Sequence, residues 1–263
     1  MFADDRAIES LLAFWADSGV DAAWTDTPVD RTAARTAPIG QPAPVAPHAV
    51  PPSSRAGAQG SAEARRLATE ATDLAALAGA IAAFDGCALK AAGARQAVFS
   101  RGAADAPVMV IGEAPGAEED IQGAPFVGRA GKLLDRMLAA AGLEGRVFIT
   151  NTVFWRPPGN RTPTPEEQQA CAPFLERAIA LVRPRLLLLS GGAAAKAVLG
   201  RTEGILSLRG RWFEWRSSDG ALEIPAMPSL HPAFLLRQPA AKKKAWEDLL
   251  TLAERLDRPE RPA

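Results

Sequence analysis

Three residues stand where chemistry can be done. His231 is one of two histidines in the 263-residue chain. It follows an apolar run, Ile224–Met227, in the segment Ser229-Leu230-His231-Pro232. An imidazole fixed there by proline can donate a hydrogen bond to a developing oxyanion. Asn151 ends the run Val147–Thr150, and its amide offers a donor beside an acceptor, as the edge of a pyrimidine requires. Phe126 sits in the Gly/Pro-shaped loop GAPFVGRAG, where a planar ring can stack on an extruded base. Each has a plainer alternative: a structural histidine, a turn cap, an aromatic plugging a loop into the core.

Other candidates cluster around these. Gly112-Glu113-Ala114-Pro115-Gly116 leaves the run Val108–Ile111, and Glu119 follows shortly after. Gly112 lets the backbone approach a ligand closely. Glu113 and Glu119 can polarise a water or stabilise a developing cation, or simply favour the start of a helix. No Gly-Lys-Ser/Thr follows, so this is not a phosphate-binding P-loop. Arg156 and Arg161 lie on a proline-rich loop suited to phosphate contact. Leu235 and Leu236 beside Arg237 read as an apolar wedge for the gap an extruded base leaves. Lys242 and the two lysines after it suit a phosphate backbone, or a solvated helix face.

The elements that position these residues follow from periodicity. Val108–Ile111, Val147–Thr150, Leu186–Leu189 and Ile224–Met227 are short apolar runs, predicted as buried parallel strands. Helical patterns cover roughly 130–141, 165–182, 192–199 and 239–256. Ile205–Leu208 and Trp212–Trp215 flank Arg209-Gly210 and predict a hairpin or a pair of edge strands. The alternation predicts a three-layer α/β/α sandwich around a four-stranded, mainly parallel sheet. Ligands of such sheets bind at the carboxyl ends of the strands. That is where GEAPG, Asn151, SGG and SLHP fall.

Residues 1–26 carry a short helical pattern with Ile8, Leu11, Leu12 and Trp15 on one face. Residues 27–60 are rich in Pro and Ala and predict a flexible linker, so that the amino-terminal arm is disordered. A connecting helix is expected over 61–83, the main domain over 84–256 and a tail over 257–263. Lys+Arg and Asp+Glu are each 30, so a strongly basic nucleic-acid binder is excluded and only a local basic strip remains possible. No apolar run reaches the ~18 residues a bilayer span needs. The acidic amino terminus is unlike a signal peptide. A soluble, cytoplasmic protein without membrane contact is expected. Two cysteines make no disulfide framework.

GEAPGAEEDIQGAPFVGRAGKLLD, ITN before RPPGNRTPTPEE, RPRLLLLSGGAAAKAVLG, LRGRWFEW and SLHPAFLLR together resemble the family 4 uracil-DNA glycosylases. The resemblance covers about residues 84–256, with the five motifs in family order. It implies an enzyme that flips uracil from DNA and hydrolyses the N-glycosidic bond, leaving an abasic site for base excision repair. It implies Glu113 and Glu119 as acidic positions of the first active-site motif and Phe126 as the stacking ring. Asn151 becomes the reader of the uracil edge, and His231 the donor facing uracil O2. Leu-Leu-Arg becomes a loop pressed into the duplex. The family also holds a [4Fe–4S] cluster on four cysteines. Here Phe84 and Trp155 stand at two of those positions, and only Cys87 and Cys171 remain. Phe and Trp cannot ligate iron, so no cluster and no other metal or cofactor is expected. Two alternatives follow: a DNA-binding or adaptor protein on a degenerate scaffold, or a glycosylase preferring another deaminated base. The amino-terminal helix is expected to serve a protein partner.

Overall fold

The computed structural model describes residues 53–258, with side chains from residue 60 onward. The helix expected within 1–26, its partner role, most of the linker and the last five residues lie outside the described residues.

The described residues open with α1 (Ser53–Glu70) and α2 (Leu74–Ala83), then the single turn α3 (Ala88–Ala91). The connecting helix expected over 61–83 is thus two helices, and α1 begins inside the expected linker. Asp73 makes the break: its carboxylate accepts from the backbone N–H of Ala76 at 2.8 Å and caps a new helix. Ala64, Ala68, Leu77 and Ile81 are buried in the same apolar cluster as the sheet. Both helices therefore belong to the main core rather than to a connector ahead of residue 84.

Next come β1 (Ser100–Gly102), β2 (Val108–Gly112), α4 (Ala117–Gln122), α5 (Arg129–Ala140) and β3 (Val147–Asn151). Then follow α6 (Pro165–Val182), β4 (Leu186–Ser190), α7 (Gly192–Leu199) and the single turn α8 (Ile205–Leu208). β5 (Phe213–Arg216), β6 (Glu223–Ser229), α9 (Pro232–Arg237) and α10 (Lys242–Asp257) complete it. The sheet order is β1-β3-β2-β4-β6-β5. The four inner strands are parallel and are those expected from their apolar runs. β1 and β5 add an antiparallel strand at each edge, making six. Of the hairpin expected around Arg209-Gly210, only the second half is a strand. Ile205–Leu208 is a helical turn, because a four-residue apolar run fits either state.

Alternation along the inner strands builds two cores. Met109, Ile111, Leu187 and Leu189 face α1, α2 and α6. Val108, Val110, Leu186 and Leu188 face α5 and α10. Both faces of the sheet are covered, which is why its strands read as unbroken apolar runs. Among the described residues no helix is long and apolar enough to cross a membrane.

Candidate active site

The parallel strands β2, β3, β4 and β6 end at Gly112, Asn151, Ser190 and Ser229, side by side at one edge. A cavity of about 500 Å³ opens beside them. Glu113, Glu119, Phe126, Arg161, His231 and Arg237 line it. These come from segments more than a hundred residues apart, gathered by the sheet.

Phe126 is held in a backbone conformation that bulky residues avoid. Its φ is 55°, in the left-handed region, which costs roughly 1–2 kcal/mol. Three groups hold it there. Glu119 accepts from the N–H groups of Val127 (3.0 Å) and Gly128 (2.9 Å) through Oε1, and from Gly116 (3.1 Å) through Oε2. Arg101 donates to the carbonyls of Pro125 (2.8 Å) and Phe126 (3.1 Å) and pairs with Asp135 at 2.6 Å. Gly131 leaves room for the Phe126 carbonyl, which would lie 1.7 Å from any Cβ there. The Phe126 ring then lies 5.6 Å from the His231 ring, tilted by 31°.

Asn151 is buried at 1 % exposure, and neither its amide oxygen nor its amide nitrogen has a hydrogen-bond partner. Among the described residues no other buried side-chain nitrogen or oxygen is left so. An unpaired buried polar group costs about 1–3 kcal/mol. A Cβ at Gly112 would lie 2.4 Å from Asn151 Oδ1 and 2.5 Å from the Phe126 ring. Glycine is thus required where the two meet. Asn151 is not on the cavity wall itself. It stands next to the Phe126 ring, which is.

His231 caps α9: its Nδ1 accepts from the Ala233 N–H at 3.1 Å. The proton of the neutral ring therefore sits on Nε2. Burial, then the nearby Arg237 charge, hold its pKa down at about 4, against a smaller opposing pull from Glu119. The ring is neutral at physiological pH, a donor through Nε2 that carries no charge of its own. Gly191, with φ of +100°, lets β4's end approach; a Cβ there would lie 3.0 Å from His231 Cβ.

The glutamates separate. Both oxygens of Glu119 accept from backbone N–H groups, so it staples the Phe126 loop. Glu113 also lines the cavity. Its carbonyl accepts from the Thr152 hydroxyl at 2.7 Å, while its carboxylate has no partner among the described residues.

The phosphate candidates divide too. Arg161 is locked in a bidentate pair with Glu167 at 2.8 and 2.6 Å, which holds that carboxyl below its usual range. Arg156 donates to Asn160 Oδ1 at 2.8 Å. Both brace the proline-rich loop, and their expected role on phosphate is secondary to that. Leu235 is fully buried with Leu133, Leu230 and Ala245, so it cannot be a wedge. Leu236 is 37 % exposed. The two lie on a helix, not a loop, and successive residues of a helix point about 100° apart. Arg237 and Lys242 are exposed. Sequence reasoning missed Arg101: a three-residue edge strand carries no periodic signal.

The four positions of the implied cluster do come together. Cys171 donates to Cys87 with Sγ atoms 3.9 Å apart, and both thiols are buried. Burial pushes the Cys171 thiol up. Phe84 packs tilted on Trp155 at 6.4 Å and edge-on to Phe174 at 5.1 Å. Two thiols and two aromatic rings do not fit a four-thiolate cluster. Among the described residues no group of three or more His, Cys, Asp or Glu side chains can hold a metal ion.

The sequence that builds this fold matches known proteins. Residues 99–250 match the uracil DNA glycosylase superfamily, and the chain belongs to it. A type-4 uracil-DNA glycosylase of Pyrobaculum aerophilum is 40 % identical over 160 residues, covering 59 % of this chain and 81 % of that protein. One from Sulfurisphaera tokodaii is 39 % identical over 171 residues, 63 % of this chain and 77 % of that protein. A bacterial one, from Thermotoga maritima, is 40 % identical over 142 residues, 53 % and 71 % respectively.

Proposed function

We infer that the protein is a uracil-DNA glycosylase of DNA repair, a hydrolase of the N-glycosidic bond of uracil in DNA. The observation that carries this is the orphaned Asn151 amide beside Phe126. A buried donor and acceptor without partners is tolerated where a ligand completes it. The superfamily's substrate supplies the matching edge: a carbonyl and a ring N–H, side by side.

In this reading the flipped base displaces the Phe126 ring enough to reach Asn151, then stacks on that ring. Breaking the glycosidic bond leaves an oxocarbenium-like sugar and a uracil anion. His231 donates from Nε2 to the oxygen on which that charge gathers, and its position is set before the reaction starts. Glu113, free of partners, positions the attacking water and offsets the positive sugar. Glu119 and Arg101 act one step back, by fixing Phe126. Leu236 fills the space the base leaves, with Arg237 beside it. No step passes through an iron–sulfur centre. The purified protein is expected to lack the broad absorbance near ~400 nm of a cysteine-bound cluster; stoichiometric iron and sulfide would overturn that.

The test is incubation with oligonucleotides carrying uracil, hypoxanthine or xanthine, followed by alkali. Strand breaks at uracil only after alkali are expected. Breaks at the other bases alone would replace uracil as the substrate. No breaks at any of them would leave the adaptor reading.

A further inference from the structure

We propose that the DNA backbone lies on a basic track that runs along α5 and crosses the cavity mouth to the start of α10. This rests on the glycosylase reading and names the surface that reading needs. Arg129, Lys132 and Arg136 are spaced i, i+3, i+7 on α5, so they share one face of that helix. All three are exposed. Arg136 turns its Nε back to the Lys132 carbonyl at 3.3 Å, which keeps the two head groups on neighbouring turns.

The place of that face is fixed by its neighbour. Leu133, beside Lys132, packs with Leu235 of α9 and Ala245 of α10. The stripe therefore borders the helix that carries Leu236 and Arg237. Ala130, next to Arg129, is on the cavity wall, and so is Arg237. Lys242, Lys243 and Lys244 follow at the start of α10. Positive side chains thus flank the mouth from two sides. Asp135, three residues after Lys132 on the same helix, is paired with Arg101 at 2.6 Å.

Several arginines on other faces are paired with carboxylates, while among the described residues Arg183, Lys196 and Arg211 are not. Arg146, Arg201, Arg216 and Arg258 each sit within 4 Å of a carboxylate: Asp257, Glu203, Glu223 and Glu254 in turn. Among the described residues, Arg129, Lys132, Arg136, Arg237 and Lys242 have no such partner. A chain with no net charge thus keeps unneutralised cations where a nucleic acid must arrive. Seven residues of helix span about 10 Å, roughly three nucleotide steps along one duplex strand. Phosphates on either side of an extruded nucleotide fit such a bracket.

The test uses the full chain and uracil-free DNA, so that it does not depend on excision. Affinity is measured by fluorescence anisotropy across a salt series for the wild type, for Lys132→Glu/Arg136→Glu, and for Arg216→Glu/Arg258→Glu as control. Each lost phosphate contact lowers the log–log salt slope by about one, so a fall of about two is expected in the first variant and none in the control. Lys132→Ala/Arg136→Ala, which adds no charge, is expected to lower the slope equally. If the slope is unchanged in both α5 variants, the track is wrong, whatever the enzyme excises. If the slope falls but the wild type excises nothing, the surface stands and the glycosylase reading fails.

Discussion

Two corners of this molecule are each assembled from separate segments of the chain, and they have opposite characters. In the thiol corner, Phe84, Cys87, Trp155 and Cys171 are buried, the rings pack tilted or edge-on, and one thiol donates to the other. Among the described residues no buried side-chain nitrogen or oxygen there is left unpaired. At the cavity a phenylalanine is held left-handed and a histidine is kept neutral by burial, and beside that phenylalanine an amide is unpaired. One stretch of chain, 151–155, serves both. The difference teaches where this fold is closed by packing and where it keeps strain. Strain and unsatisfied groups persist where a ligand offsets them.

The contrast can be broken by exchanging the consequences. Trp155→Ala is expected to cost about 3–5 kcal/mol of stability, as large buried aromatics do. Denaturant titration measures this, and excision by the folded fraction should be unchanged; a stable variant with no activity would make that corner catalytic. His231→Ala should do the reverse, lowering single-turnover excision by roughly 10²–10³-fold, with a stability loss of no more than about 0.5–2 kcal/mol, the cost of losing the α9 cap. Because the His231 pKa is depressed to about 4, the donor is neutral from pH 8 down to 6. Its contribution should therefore be flat there and fall only as pH approaches 4. The stability linked to it is present above the ordinary histidine value and is lost as pH falls towards 4.

Asn151→Ala sharpens the comparison, since it should raise one quantity and lower the other. Removing an unpaired buried amide should relieve about 1–3 kcal/mol, less whatever the small cavity costs, so the melting temperature should hold or rise. Excision should fall. A variant both less stable and fully active would mean that the amide is structural. The smallest effect is expected from Glu119→Gln, which replaces one accepting oxygen by a donor. Loosening Phe126 should raise KM several-fold more than it lowers kcat, with the acid limb of the pH profile unmoved. A change in that limb would return Glu119 to catalysis.

Much of the fold was legible because burial on both faces writes a continuous apolar run into β2, β3, β4 and β6. β1 was not, since Ser-Arg-Gly pairs with β3 through its backbone alone. The break at Asp73 was visible only as an acid among apolar residues, and became a cap once α2 packed. The proximity of Phe126 to His231 and to Asn151 is what the structure adds to candidates chosen by residue type at strand ends and in a glycine-shaped loop.

Residue type and order alone determined the layered sheet, the strand ends beside the cavity, and that only two thiols are present. Tertiary structure alone decided which glutamate is free, which leucine is exposed, and that Arg101 grips the Phe126 loop. The reason is physical. A residue's chemical capacity is local to its side chain, but whether that capacity is spent depends on which distant backbone groups the fold brings within hydrogen-bonding reach.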